Sequence, residues 1–244
     1  MDILTDILYT NKKIIKNSFK GLIDNWPIIF TGLFYSFATL LLYMVAPAFG
    51  ILGGLLSVIV TSALISNYLY LLNRIVKNNR FSFHDFKDGF SIYLRKIWTI
   101  FFFGYVASLG LRYFILPILP IGIYPIISLL TVIVLNALPE SIYQKYYDPW
   151  ETITYAVEFI KENVIEWVVP NIILIGVMYI TTGNLLTNIF NYYISIFTIF
   201  TSPSGIVFYL IGQLWFSYMM IYRGFLFELL STSTRRKRLF MREF

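Results

Sequence analysis

Long apolar stretches alternate with short polar ones along the chain, and their spacing predicts six membrane spans. The first 26 residues have a different pattern. Ile3, Ile7, Leu8, Ile14, Ile15, Phe19, Leu22, Ile23 and Trp26 recur at three- and four-residue steps with Lys12, Lys13, Lys16 and Lys20 between them. Such a pattern predicts a helix over 1–26 lying in the headgroup layer. The run from Pro27 to Val45 is longer than the ~7–15-residue core of a signal peptide, so an uncleaved first span is expected over about 27–46 despite the cleavage-like Ala46-Pro47-Ala48.

A second span is predicted over about 51–76. Gly50, Gly54, Val58, Ser62 and Ser66 stand four apart in it, a row that lets helix backbones approach closely in lipid. Residues 77–96 then mix charges with Phe83, Phe86, Phe90 and Tyr93 at helical spacing, which predicts a second surface helix. The third span, about 97–116, carries Gly104, Ser108 and Arg112 on one stripe, and Pro117, Pro120, Gly122 and Pro125 return the chain. In the fourth span, about 126–143, Asn136 and Glu140 lie one turn apart beside the helix-weakening Pro139.

Asp148-Pro149-Trp150-Glu151 is a helix-start signal: Asp148 can cap, Pro149 suits the first position, and Glu151 falls where a capping-box acid reaches back. The surface helix it opens, 148–163, has Trp150, Ile153, Val157, Ile160 and Val164 on one side and Glu151, Glu158, Glu162 and Glu166 roughly opposite. The fifth span comes next, over about 164–180. Residues 183–204, with Asn184, Asn188 and Asn191 among apolar residues, read as an extension of that span or, preferably, as an outer re-entrant or interfacial segment. The last span covers about 205–230, and 231–244 forms a basic tail. The expected fold is all-α: a single polytopic membrane domain over 1–244, six transmembrane helices with amphipathic interfacial helices.

Composition agrees with this class. Apolar residues make up 58% of the chain and charged residues 13%, against about half and a quarter in soluble domains. The distribution of charge then gives orientation. Four basic residues lie in the N-terminal arm, six between Arg74 and Lys96, two between Lys145 and Lys161 and five in the tail, seventeen of the nineteen in all. The connections near Pro47, Pro120 and Gly183 have none. The positive-inside rule therefore puts both termini in the cytoplasm, and the expected location is the cytoplasmic membrane of a prokaryote. A seventh span at 185–200 would expel the basic tail, which argues against it.

The alternation of FSFHDFKDGFSIYLRK with the later DPWETITYAVEFIKEN between spans resembles a broad group of uncharacterised six-helix bacterial membrane proteins. That group includes the membrane domains fused to some glycerophosphodiester phosphodiesterases. The resemblance covers roughly residues 50–180 in pattern. It implies a six-helix membrane fold and no activity, because the phosphodiesterase catalytic domain has no counterpart here.

Chemistry is sparse. The absence of cysteine and the single histidine exclude disulfides, thiol catalysis and the usual zinc sites, so no metal or cofactor is expected. HExxH, GxSxG and Gly-rich phosphate loops are missing. His84 with Asp88 one turn on has the form of a base oriented by a carboxylate, but with no nucleophile or cofactor motif beside it a solvated surface pair is the preferred reading.

Charges in spans demand more explanation, since each costs roughly 2.5–3.5 kcal/mol at the bilayer centre. Glu140, Glu166, Arg223 and Glu228 fall near span ends, where each can snorkel separately, the simpler reading. The functional reading joins them with Asn136, Asn171, Gln213 and Ser217 into an inward-opening polar vestibule for a substrate or lipid, Glu140 pairing with Arg223. Arg112 stands alone toward the outer face, to meet carbonyls of the proline turn or a lipid phosphate. The tail's Arg235, Arg236, Lys237 and Arg238 are expected to contact anionic headgroups at about 1 kcal/mol each, or to act only as a topogenic signal.

Three functions remain open on the sequence: a non-enzymatic membrane subunit or scaffold, preferred; a small permease or lipid-handling transporter; and an intramembrane enzyme. The expected partners are the bilayer with its anionic headgroups and a membrane protein or second copy. Nucleic acid is not expected, because the basic patch is short and faces the inner leaflet.

Overall fold

The computed structural model describes residues 3–120, 122–192 and 203–233. Its helices are α1 (Ile3–Asp24), α2 (Ile28–Val45), α3 (Ile51–Asn78), α4 (Phe83–Ile92), α5 (Leu94–Gly110), α6 (Ile123–Val134), α7 (Leu138–Gln144), α8 (Pro149–Glu162), α9 (Val164–Thr182) and α10 (Pro203–Thr232). No strand occurs among the described residues. Six stretches are long and apolar enough to cross a membrane: Ile28–Phe49, Leu52–Asn78, Leu94–Ile115, Ile123–Gln144, Val164–Thr182 and Ser204–Thr232. The protein is a multi-pass helical membrane protein.

One end of the bundle, here the basic end, gathers α1, α4, α8 and the neighbouring span termini. Asn25 knits the junction between α1 and α2 to the end of α3: its amide donates to the carbonyls of Gly21 (2.9 Å) and Asn79 (2.8 Å), and its oxygen accepts from the Phe81 amide (3.1 Å). Lys96 likewise donates to the carbonyls of Ile142 (3.2 Å) and Lys145 (3.0 Å), closing the C-terminus of α7. The opposite turns are tight. At Gly53 the Ala46 carbonyl fills the space a Cβ would need, so only glycine lets α3 start so close to the end of α2.

α1 shows three faces. Ile14, Ser18, Gly21, Leu22 and Asn25 are buried, Gly21 meeting Ile221 and Phe225 of α10, and Tyr222 of α10 donates to Asn11. Ile15, Phe19, Ile23 and Trp26 form an exposed apolar stripe beside the buried one, and Lys12, Lys13, Lys16 and Lys20 lie beyond it. At ~100° per residue the order around the helix is protein, apolar, lysine.

α4 is more deeply engaged than a surface helix need be. A capping box starts it: Ser82 Oγ accepts from the Asp85 amide (3.2 Å) while Asp85 accepts from the Ser82 amide (2.8 Å). The helix then crosses α3. Ser66 donates to the Gly89 carbonyl (2.7 Å) and accepts from the Tyr93 amide (2.8 Å), and Asn67 donates to the Phe86 carbonyl (2.5 Å) while accepting from Tyr35 (2.5 Å). The row of small residues on α3 thus divides. Ser62 and Ser66 pack against protein, whereas no neighbouring side chain comes near Gly54 and Val58 is exposed.

α8 is capped by Asp148, which accepts from the Glu151 amide (2.9 Å), but Glu151 does not reach back to complete a box. Its buried stripe is Thr152, Ala156, Phe159 and Ile160, rotated from the expected one, with Trp150 and Val164 exposed. Phe159 sets the rotation by packing against Phe227 (4.4 Å between ring centres) and meeting Trp167 edge-on (5.3 Å).

Candidate functional site

A break between α6 and α7, a proline inside α9 and the chain returning after α9 build a polar centre among α7, α9 and α10. Pro139 has no amide hydrogen to give, so α6 ends in a turn where Asn136 N bonds Ile133 O (3.2 Å) and Leu138 N bonds Leu135 O (3.1 Å). The turn leaves the Asn136 carbonyl available inside the bundle. Pro170 lies inside the continuous α9, one residue before Asn171. After the left-handed Gly183 the chain turns back into the protein, burying Leu186, Thr187, Asn188 and Ile189. Non-helical backbone at membrane depth is tolerated where protein surrounds it.

Arg223 of α10 occupies the point where these three meet. Its Nε and Nη2 grip Glu140 in a fork, at 2.7 Å to Oε1 and 2.9 Å to Oε2. Nη2 also donates to the freed Asn136 carbonyl (2.6 Å), and Nη1 reaches the Asn136 side-chain oxygen (3.0 Å), the Asn171 side-chain oxygen (3.3 Å) and the Thr187 carbonyl (2.7 Å). All five guanidinium hydrogens have acceptors. Trp167 completes the shell, donating from Nε1 to Asn136 (3.0 Å) with its ring 5.1 Å from the guanidinium carbon. Both charged side chains are 0% exposed. They do not snorkel: the two charges satisfy one another inside the protein, where the fork geometry and extra hydrogen bonds offset the cost of losing water.

The predicted vestibule residues therefore fall into groups. Asn136, Glu140, Asn171 and Arg223 form one network. Gln213, ten residues earlier on α10 and so ~15 Å away along the axis, donates instead to the Tyr192 hydroxyl. Burial lifts that phenol above its ordinary range, so it serves as a neutral hydrogen-bonding group. Ser217 is buried beside Tyr68. Glu166 and Glu228 are half-buried at the basic ends of α9 and α10, Glu228 facing Lys77.

Arg112 makes no hydrogen bond to the carbonyls of the proline turn. It is exposed at a wide turn where Leu116 N bonds Leu111 O (2.8 Å), with the Tyr113 ring 5.9 Å away. His84 Nδ1 lies 2.8 Å from Asp88 with its side chain 83% exposed. Arg235, Arg236, Lys237 and Arg238 lie outside the described residues, as do 193–202 of the segment 183–204. Among the described residues no cluster of three or more His, Asp or Glu stands ready to hold a metal.

Trp167 and the Thr187 carbonyl were not legible as site members. Tryptophan beside Glu166 reads as an interfacial anchor, and a backbone carbonyl has no sequence signal. Fold and network together define a six-helix polytopic bundle locked by a buried ion pair. No family model, curated protein or solved structure matches the chain.

Proposed function

We propose that the protein is a non-enzymatic membrane subunit or scaffold, both termini cytoplasmic in a prokaryotic plasma membrane, whose outer α5–α6 hairpin seats a membrane-protein partner or a second copy. The observation that carries this reading is how unevenly the spans are packed. The most apolar stretch of α10 is 50% buried within the chain and that of α3 44%, but that of α5 only 11%, and α6 buries no residue. Gly104 and Gly110 of α5 have no neighbouring atom where a Cβ would stand. The saturated Arg223 network gives further support, since its donors and both Glu140 oxygens are engaged by protein. The resemblance to six-helix bacterial proteins, which implies a fold and no activity, is in keeping with it.

The chain has no cysteine, so single cysteines report without background. In native membranes Leu129→Cys on α6 is expected to give one discrete adduct with a short bis-maleimide, and Ile172→Cys on the equally exposed face of α9 none. A diffuse smear or no adduct from Leu129→Cys would count against the reading. The cytoplasmic placement rests on the basic residues; an impermeant thiol reagent applied outside should label Tyr124→Cys and spare Ser231→Cys, and the reverse pattern would invert the protein.

A permease is the second reading, favoured by the network's position at the break between α6 and α7, since transporters place their sites at discontinuous helices. It requires a solute or lipid that raises thermal stability in the native protein and not in Glu140→Gln.

A further inference from the structure

We infer that the cleft between the α1–α2 junction and α4 is a phospholipid site selective for a headgroup bearing both a phosphate and a primary ammonium, as in phosphatidylethanolamine. The cleft measures about 520 Å³, within the ~300–1,000 Å³ typical of ligand sites. It is graded in polarity. Asp24, Asn25 and Ser82 form one edge, and Phe30 and Phe34 of α2 face Phe83 and Phe86 of α4 beyond it.

Two groups of aromatic rings line the cleft. Trp26 meets Phe30 edge-on at 5.8 Å, Phe34 meets Phe86 at 5.5 Å, and Phe86 stacks on Phe83 at 6.4 Å. Phe34 lies seven residues beyond Pro27, so the apolar part descends ~10 Å along α2 from the end of the span, the direction an acyl chain takes from its headgroup. Soluble ligands do not present that gradient at the membrane surface.

The polar edge decides the headgroup. Asn25 and Ser82 are committed within the protein, Asn25 to the Asn79 carbonyl and Ser82 to Asp85, whose carboxyl burial would raise but the Ser82 hydrogen bonds and Arg74 (2.8 Å) hold below its ordinary value. Asp24 is exposed and makes no hydrogen bond or ion pair among the described residues, which leaves its carboxylate for an ammonium group. Lys87 holds its ammonium 5.0 Å from the ring of Phe83, and Lys20 stands one turn before Asp24 on α1. Lys20 and Lys87 lie beside the lining rather than in it, so a phosphate taken up by these neighbouring cations and an amine at Asp24 would match both signs of charge near the edge. A purely anionic headgroup would meet Asp24 unfavourably, and a choline would shield its charge with methyl groups.

Purified protein, exchanged into detergent and given palmitoyl-oleoyl phosphatidylethanolamine, phosphatidylglycerol or phosphatidylcholine singly, can be read by native mass spectrometry. The expected result is a one-to-one phosphatidylethanolamine adduct retained about threefold to fivefold better than the other two, the size that a rim ion pair supports. Asp24→Asn should bring it to the phosphatidylcholine level, and Lys87→Gln should weaken all three alike. Thr31→Phe, which narrows the cleft from α2, should remove the adduct. Equal retention of the three lipids, indifference to Asp24→Asn, or dimerisation of delipidated protein without any lipid adduct would each overturn the assignment. Asp24 is exposed, so its variant separates lost binding from lost folding.

Discussion

Replacing Arg223 with methionine will destabilise the bundle by about 3–5 kcal/mol, because it leaves the Glu140 carboxylate buried without a cation. Methionine fills much of the volume but offers none of the six contacts now made to Glu140, Asn136, Asn171 and Thr187. Adding Glu140→Leu should recover part of the loss, since removing both charges together avoids the unpaired one. Recovery will be incomplete. The Asn136 and Thr187 carbonyls keep their places without the Nη2 and Nη1 donors that now serve them, at roughly 1–3 kcal/mol for each buried group left unsatisfied. Denaturant titration of the purified single and double variants measures both values. A single variant within about 1 kcal/mol of the native protein would mean that water reaches the network, and the locked-core account would fail.

Trp167→Ala will cost a similar amount, about 3–5 kcal/mol, by a different route. The indole is fully buried and touches Phe159, Phe227 and the Arg223 guanidinium, so its removal opens a cavity where α8, α9 and α10 converge. Trp167→Phe should cost far less, on the order of 1 kcal/mol, since it keeps most of the packing and loses chiefly the Nε1 hydrogen bond to Asn136. Thermal unfolding of both variants distinguishes the two contributions. Equal losses would show that the hydrogen bond, and not the filled volume, holds the junction.

Particular residues show how far the site was legible. Asn136 and Glu140 one turn apart beside Pro139 announced a polar point in a span, and Arg223 was the natural counter-ion. Their meeting is real, yet the expectation that span-end charges reach water separately fails for this pair. Distance from a span end, counted in residues, says nothing about whether a neighbouring helix covers it. Gln213 and Ser217 looked like members because they share a helix with Arg223, but two to three turns of rise put them with Tyr192 and Tyr68. α8 carried two candidate apolar stripes, and aromatic contacts with Phe227 and Trp167 chose between them. α4 had the composition of a surface helix, and Ser66 and Asn67 of α3 drew it into the bundle.

The sequence by itself determined the helical class, the six spans, the presence of the N-terminal helix and the Asp148 cap. These arise from forces acting within one segment: the apolar length a bilayer demands and the hydrogen bonds a helix end requires. Tertiary structure alone decided which polar groups meet, where the chain after Gly183 returns, and which aromatic residues line the cleft beside Asp24. Those outcomes depend on how each helix is rotated and how deep it sits against its neighbours, and in lipid that is set by packing and by pairing of buried polar groups, which no single segment encodes.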